Sequence, residues 1–376
     1  MYSQQELDDA VAAGVITPDA ADALRAYIET QRTMAIPDEE QFRLITGFND
    51  IFVSIAAAIL LFAVGWIGQS IGQSTGLFIS GHGEIGPSFL APLAVAGTAW
   101  ALALFFTARR RMALPSILLL LAFVGGVLAT SAFALVEIIG PDRFNNGNQL
   151  LSATVGAVSA AIGAVAAWFH WRRFEVPITV AAGAAAVAGL FLAIVVAIVQ
   201  PGDSESAKNL ILGFVLLLGV GMFLFAMWWD ASDRARLTRR SDVAFWLHLL
   251  AAPMIAHPIF ALLGVMNGRV GTGEGLLVVG LYILFGLTAL AVDRRALLVS
   301  ALAYVLYALT ELFKQFGAVE LNIALTALVI GSALLMLSAY WHQARRLVVA
   351  RLPATLQARL PNLDRPAPLP VSAPAA

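Results

Sequence analysis

The chain has 376 residues, 60% of them hydrophobic and 12% charged, with mean hydropathy +0.82 and a formal net charge of −1. A soluble domain carries about 25% charged residues, so this chain cannot cover itself with a water-compatible surface, and an all-α polytopic membrane bundle is expected. It has no cysteine, which excludes disulfides, thiolate metal sites, catalytic thiols and S-acylation.

Residues 1–47 are charged and precede the first apolar run, so no cleavable signal is read and that run is expected to be a retained span. Within them, "SQQELDDAVAAGVITPDAADALRAYIETQR" (3–32) predicts two short helices. Leu7, Val11 and Val15 line one; Ala20, Ala23, Leu24 and Tyr27 line the other. Gly14 suits a left-handed helix stop, Thr17 an N-cap and Pro18 the first helical position. A hairpin this small buries no core alone, so residues 1–40 are expected to dock on the membrane domain or on a cytoplasmic protein partner. Acids outnumber arginines in it, which argues against nucleic acid.

The run "ELDDAVAAGVITPDAADAL", the connector "IPDEEQFRLITGFND" and the apolar "IFVSIAAAILLFAVGWIG" resemble bacterial domain-of-unknown-function membrane proteins that carry a helical hairpin before a multispanning body. The resemblance covers about the first 70 residues and the general architecture. It implies a bacterial inner-membrane location but no chemistry, and no functional residue transfers.

About 20 apolar residues at 1.5 Å rise cross a ~30 Å hydrocarbon core. Ten candidate spans follow: 48–67, 88–108, 113–138, 149–169, 176–199, 208–229, 243–266, 275–292, 296–313 and 319–341. They give a transmembrane domain of 48–341. Arginine and lysine alternate in the connecting segments, 19 on one side and 4 on the other. By the positive-inside rule both termini are then cytoplasmic and the number of spans is even. Trp168, Trp171, Trp228, Trp229, Trp246 and Trp341 fall at the predicted inner ends, where indoles anchor at headgroup level.

Small residues recur every four positions in two spans: Ser152, Gly156, Ala160 and Ala164, then Ala181, Ala185, Gly189, Ala193 and Ala197. Joined only by "HWRRFE", these spans are expected to pack as an antiparallel pair, with self-association as the competing use of the stripe. The loop 68–87, with six glycines, His82 and Glu84, lacks the lysine and Ser/Thr of a phosphate cradle and is expected to be flexible. Residues 342–376 are expected to hold a segment lying along the membrane ("ARRLVVARL", 344–352) and then a disordered proline-rich tail from Pro353.

Enzyme signatures such as HExxH, GxSxG or an EF-hand are absent from the sequence, so neither an enzyme nor a cofactor is expected. Ionisable groups within spans are the functional candidates. Glu137 and Glu311 lie near outer ends, each readable as a structural partner (of Arg143, and of Lys314 and Gln315) or as an outer-mouth group. Asn322 suits a bond to a neighbouring helix.

The seventh span, "LHLLAAPMIAHPIF", is the most unusual. His248 and His257 are nine residues apart, about 13 Å of rise and opposite helix faces, so they cannot share a metal. Pro253 and Pro258 each remove a helical hydrogen bond and free the carbonyls of Leu249 and Met254, predicting a kinked or unwound span. Two readings follow. One is a small-solute or ion transporter with a cavity at that break, served by His257, with His248 as an inner group. The other is a non-catalytic scaffold or sensor acting through the hairpin and tail.

Overall fold

The computed structural model describes residues 11–24, 48–81, 84–144, 147–202, 204–234, 236, 238–264, 272–315 and 322–363. The chain divides into two units, Met1–Phe42 with Asp364–Ala376, and Arg43–Leu363. In the first, Gly14 adopts φ 69° and the Thr17 hydroxyl accepts from the Ala20 amide at 3.2 Å. The left-handed stop and the N-cap are thus where the residue types require them. The first predicted helix before residue 11, the second after Leu24 and the connector up to residue 47 lie outside the described residues.

The second unit is helical. Its elements are α1 (Phe48–Thr75), a two-strand ribbon of β1 (Ser80–Gly81) and β2 (Glu84–Ile85), α2 (Leu90–Phe106), α3 (Ala113–Ile139) and a 3-10 turn (Pro141–Arg143). There follow α4 (Gln149–Phe174), α5 (Ile178–Val199), α6 (Glu205–Ser232), α7 (Arg239–Leu262), α8 (Thr272–Val292), α9 (Ala296–Gln315) and α10 (Asn322–Ala339). The short α11 (Trp341–Val349) and α12 (Ala354–Gln357) complete it.

Among the described residues seven helices are long and apolar enough to cross a membrane, and eight if α10 and α11, bent by 77° at Tyr340, form one span. The chain is therefore a multi-pass helical membrane protein. α2 and α9 are apolar but shorter.

The core is a chain of small clusters. Ala57, Leu61, Ala99, Ala103 and Leu119 join α1, α2 and α3. Ala181, Ala188, Met222, Ala226, Val243, Leu247 and Ala251 join α5, α6 and α7. Ala256, Phe260, Val278, Ala301, Val305 and Ile330 join α7 through α10. Alanine supplies much of this, because without a hydrophobic drive between helices close backbone approach is the attraction that remains.

The pair α4–α5 shows how that works. A methyl placed on Gly156 would sit 3.8 Å from the Ala193 Cβ, one on Gly189 4.0 Å from the Ala160 Cβ, and one on Gly183 3.4 Å from the Ala167 Cβ. The positions run in opposite senses, so the two stripes meet each other as an antiparallel pair.

Three expectations change. The described residues after α1 pair as a two-strand ribbon, with Ser80 opposite Ile85. Gln69 closes it by donating to Gly86 O at 3.0 Å and accepting from the Ser88 amide at 2.8 Å. His82 lies outside the described residues, as does the Glu84 side chain.

Second, residues 353–363 are not an unstructured tail. They return to the bundle as a strap, with Leu360 packed against Val292 and Val349; the remainder, 364–376, lies outside the described residues.

Third, α7 is one helix from Arg239 to Leu262 with Pro253 and Pro258 inside it, so the predicted unwinding does not occur. The freed carbonyl of Met254 faces α6 instead. A methyl on Gly219 would lie 2.8 Å from both the carbonyl carbon and the oxygen of Met254. Pro258 removes the amide that would bond that carbonyl, and Gly219 removes the side chain that would keep α6 away.

Candidate functional site

α7 carries the two histidines on opposite sides, as their spacing requires, and each meets different chemistry. His248 is fully buried. Its Nε2 donates to Asp230 Oδ2 of α6 at 2.9 Å, and Phe223 stacks edge-on against the ring at 5.2 Å.

Asp230 is fully buried too. It accepts from Nε of Arg294, in the turn between α8 and α9, at 3.3 Å, and its second oxygen takes Arg294 Nη2. The same guanidinium donates to Ser241 O at 3.0 Å and lies 5.9 Å from the Phe245 ring. Aspartate and arginine cancel, so a neutral imidazole leaves the cluster without net charge. Among the described residues His248 Nδ1 has no hydrogen-bond partner.

A second ionic tier lies one residue away in sequence. Asp293 accepts from Arg236 at 2.8 Å and from the Trp341 indole at 2.7 Å, with Arg345 Nε at 3.8 Å. Its backbone is left-handed, φ 60°, which turns Asp293 and Arg294 to different partners. Burial pushes the Asp293 carboxyl upward, but Arg236, Arg345 and the Trp341 indole outweigh it and hold it below the usual carboxylate range. Trp341 is therefore a buried structural group, 3% exposed and beneath Arg295 at 4.8 Å. Trp168 and Trp228 are exposed, at 53% and 64%, as headgroup anchors would be.

On the other face of α7, His257 is exposed and its Nδ1 shares a 2.7 Å hydrogen bond with Tyr304 Oη of α9; which atom donates depends on the tautomer. Tyr304 stacks on Phe260 at 4.5 Å. His257 lies five residues before the end of α7 and meets the middle of α9, so it is nearer one end of its own helix than a count of apolar residues implied.

Tyr304 belongs to a stripe. At 100° per residue, Ser300, Tyr304, Tyr307 and Glu311 fall within an arc of about 60°. Tyr307 is 37% exposed, and Ser300, Tyr304 and Glu311 are half-buried. They make a polar stripe along α9 that Tyr304 joins to His257 of α7, a seam along otherwise apolar helices. The side chains of Lys314 and Gln315, read as partners of Glu311, and of Asn322, read as bonding a neighbouring helix, lie outside the described ones.

Glu137 stands apart from both groups. It sits half-buried near the end of α3, and its Oε2 has no hydrogen-bond partner among the described residues. The predicted ion pair with Arg143 is not formed there, because the chain turns at Gly140 (φ 100°) and Arg143 lies exposed in the 3-10 turn.

Sequence reasoning missed Asp230, Ser241 and Arg294. Asp230 in "WWDASDR" reads as a loop charge after a span, and Arg294 reads as one more positive-inside arginine. It also missed His170, fully buried among Trp100, Phe123 and Phe174, with Nδ1 3.2 Å from Thr179 Oγ1. Among the described residues no group of three His, Asp or Glu side chains is gathered as for a metal. No family model, curated protein or solved structure matches the chain.

Proposed function

We propose that the chain spans a bacterial inner membrane ten times with both termini in the cytoplasm, and that it moves a small solute or ion, a proton included, along the α7–α9 seam. The supporting observation is that seam itself. Hydroxyls, an imidazole and a carboxylate line up on a partly exposed strip of a helix that this reading places in the membrane, where polar and ionisable groups are costly and mark solute or proton pathways. Polar side chains so placed meet water or another polar surface, and the strip is long enough to guide a solute from Glu311 past Tyr307 to His257 and Tyr304. α2 and α9 serve as the two short spans, and the distribution of arginine sets the orientation.

In this reading His257 is the titrating or solute-binding group and Glu311 the outer-mouth group. His248 is not on the route: it belongs to the buried cluster that fixes α6, α7 and the start of α9. Glu137, on α3, has no place in the seam. The route follows the surface of a continuous helix and needs no break at Pro253 or Pro258.

Because the chain has no cysteine, single cysteines at His257, Ala303 and Tyr307 report water directly. An impermeant thiol reagent applied from outside is expected to label all three, and His257→Gln or Glu311→Gln to slow solute or proton flux in proteoliposomes. A folded, inserted protein that labels at none of the three would refute the seam as a path. The scaffold reading gains from a separate observation, the strap tied to the ionic tiers, and predicts unlabelled seam positions with a phenotype on deleting residues 1–40.

A further inference from the structure

The strap is held in an unusual way. Arg234 donates to Leu360 O at 2.8 Å and Gln357 O at 3.3 Å; Arg345 donates to Pro361 O at 2.8 Å and Asn362 O at 3.2 Å. The Asn362 amide returns a bond to Arg234 O at 3.2 Å. Residues 360 and 361 are consecutive, so the two guanidiniums flank one stretch of main chain.

Four neutral carbonyls are all that this stretch offers to two full positive charges. Arg345, 3% exposed, reaches a carboxylate only at 3.8 Å, and that carboxylate, Asp293, is already engaged by Arg236 and Trp341. Paired guanidinium forks match the oxygens of a phosphate better than peptide carbonyls, because a phosphate accepts bidentately and brings the opposite charge that the carbonyls lack. The site also sits where α10 bends by 77° into α11. In the orientation proposed above, that is the level of the inner-leaflet headgroups, where anionic lipid concentrates.

We propose that Arg234 and Arg345 form a phosphate-binding site and that residues 357–362 occupy it as a tethered stand-in, leaving when an anionic phosphate takes the two guanidiniums. The strap is built to be displaced. Gln357 and Asn362 are half-buried and Ala358 and Arg359 exposed, so that only Leu360 and the adjacent Pro361 are buried, and Leu360 packs on Val292 and Val349. Its departure would uncover Arg345 beside Asp293, one residue from the Arg294 that fixes the start of α9. The site stands on the strap geometry and does not depend on transport along the seam.

The test uses the full chain in nanodiscs with a single cysteine replacing Leu360. In phosphatidylcholine alone the thiol should be protected. With phosphatidic acid added, labelling should rise about tenfold, the displacement given by a ligand at about ten times its dissociation constant. A phosphatidylcholine arm with inorganic phosphate tells lipid from free anion, and sodium chloride at matched ionic strength controls for screening. Since Leu360→Cys trims the anchor, spin labels at Ser232→Cys and Ala358→Cys follow the same release with Leu360 intact. Arg234→Gln with Arg345→Gln should release the strap without any anion. Protection that neither phosphate source relieves, release by chloride to the same extent, or a strap already free in phosphatidylcholine would each overturn the proposal.

Discussion

Asp230→Ala removes the acceptor at the centre of the α6–α7–α9 cluster and is expected to destabilise the fold by about 3–5 kcal/mol. Arg294 is 2% exposed and donates to both Asp230 oxygens, one of them at 3.3 Å. At an effective dielectric of about 20, charges about 3 Å apart attract by about 5 kcal/mol, which the desolvation of both groups offsets in the intact pair. Without Asp230 the desolvation of Arg294 remains and the attraction does not. Among the described residues Arg294 would keep Ser241 O and Oγ as acceptors, and His248 would lose its hydrogen bond to Asp230. Asp230→Asn retains an acceptor for His248 and should cost less. The double variant Asp230→Leu with Arg294→Met replaces the pair by apolar groups and should recover most of the loss.

Reversible unfolding in mixed detergent, followed by tryptophan emission, gives the ordering wild type, double variant, Asp230→Asn, Asp230→Ala. If Asp230→Ala lies within about 1 kcal/mol of wild type, the value of a solvent-exposed pair, or if the double variant is no more stable than Asp230→Ala, the cluster is not the buried charge pair described.

The α6–α7 contact gives a second test. Gly219→Ala places a methyl 2.8 Å from the Met254 backbone, which cannot swing aside as a side chain can, so the melting temperature should fall with a cost of about 1–3 kcal/mol. Gly221→Ala, with nothing within 4 Å, should cost nothing; equal effects of the two would refute the close approach. The second ionic tier is tested by acid. The Asp293 carboxyl is held below its ordinary 3.8, so its stabilisation is complete above about pH 5 and is lost as pH falls through 3.8 towards the lower folded value. Asp293→Asn should flatten that acid limb of melting temperature against pH, and an unchanged limb would refute the pairing with Arg236 and Arg345.

Much of the helical layout was legible in the sequence because lipid leaves few choices. A run of about 20 apolar residues must be helical, and each of the ten candidate segments contains a helix. The small-residue stripes of α4 and α5 could be read as a contact since only such stripes allow close approach. Gly14 and Thr17 could be placed since a left-handed stop and a cap each demand a residue type. The opposite faces of His248 and His257 followed from helical rotation alone.

What each face meets was not legible. Asp230 and Arg294 are 64 residues apart, and the seam needs His257 from one helix beside Tyr304 from another. Composition and periodicity record which side of a helix a residue occupies, but not which helix stands opposite. The prolines of α7 are the clearest instance. A lost hydrogen bond is written in the sequence as a break, whereas Gly219 on α6 lets the neighbouring helix close over the freed carbonyl, and the span stays whole. The arginines give the complementary case. Their distribution along the sequence predicts an orientation under the positive-inside rule, but only the fold decides that Arg234, Arg236, Arg294 and Arg345 turn inward to hold carboxylates and the strap, because buried guanidiniums persist only where acceptors from distant segments converge.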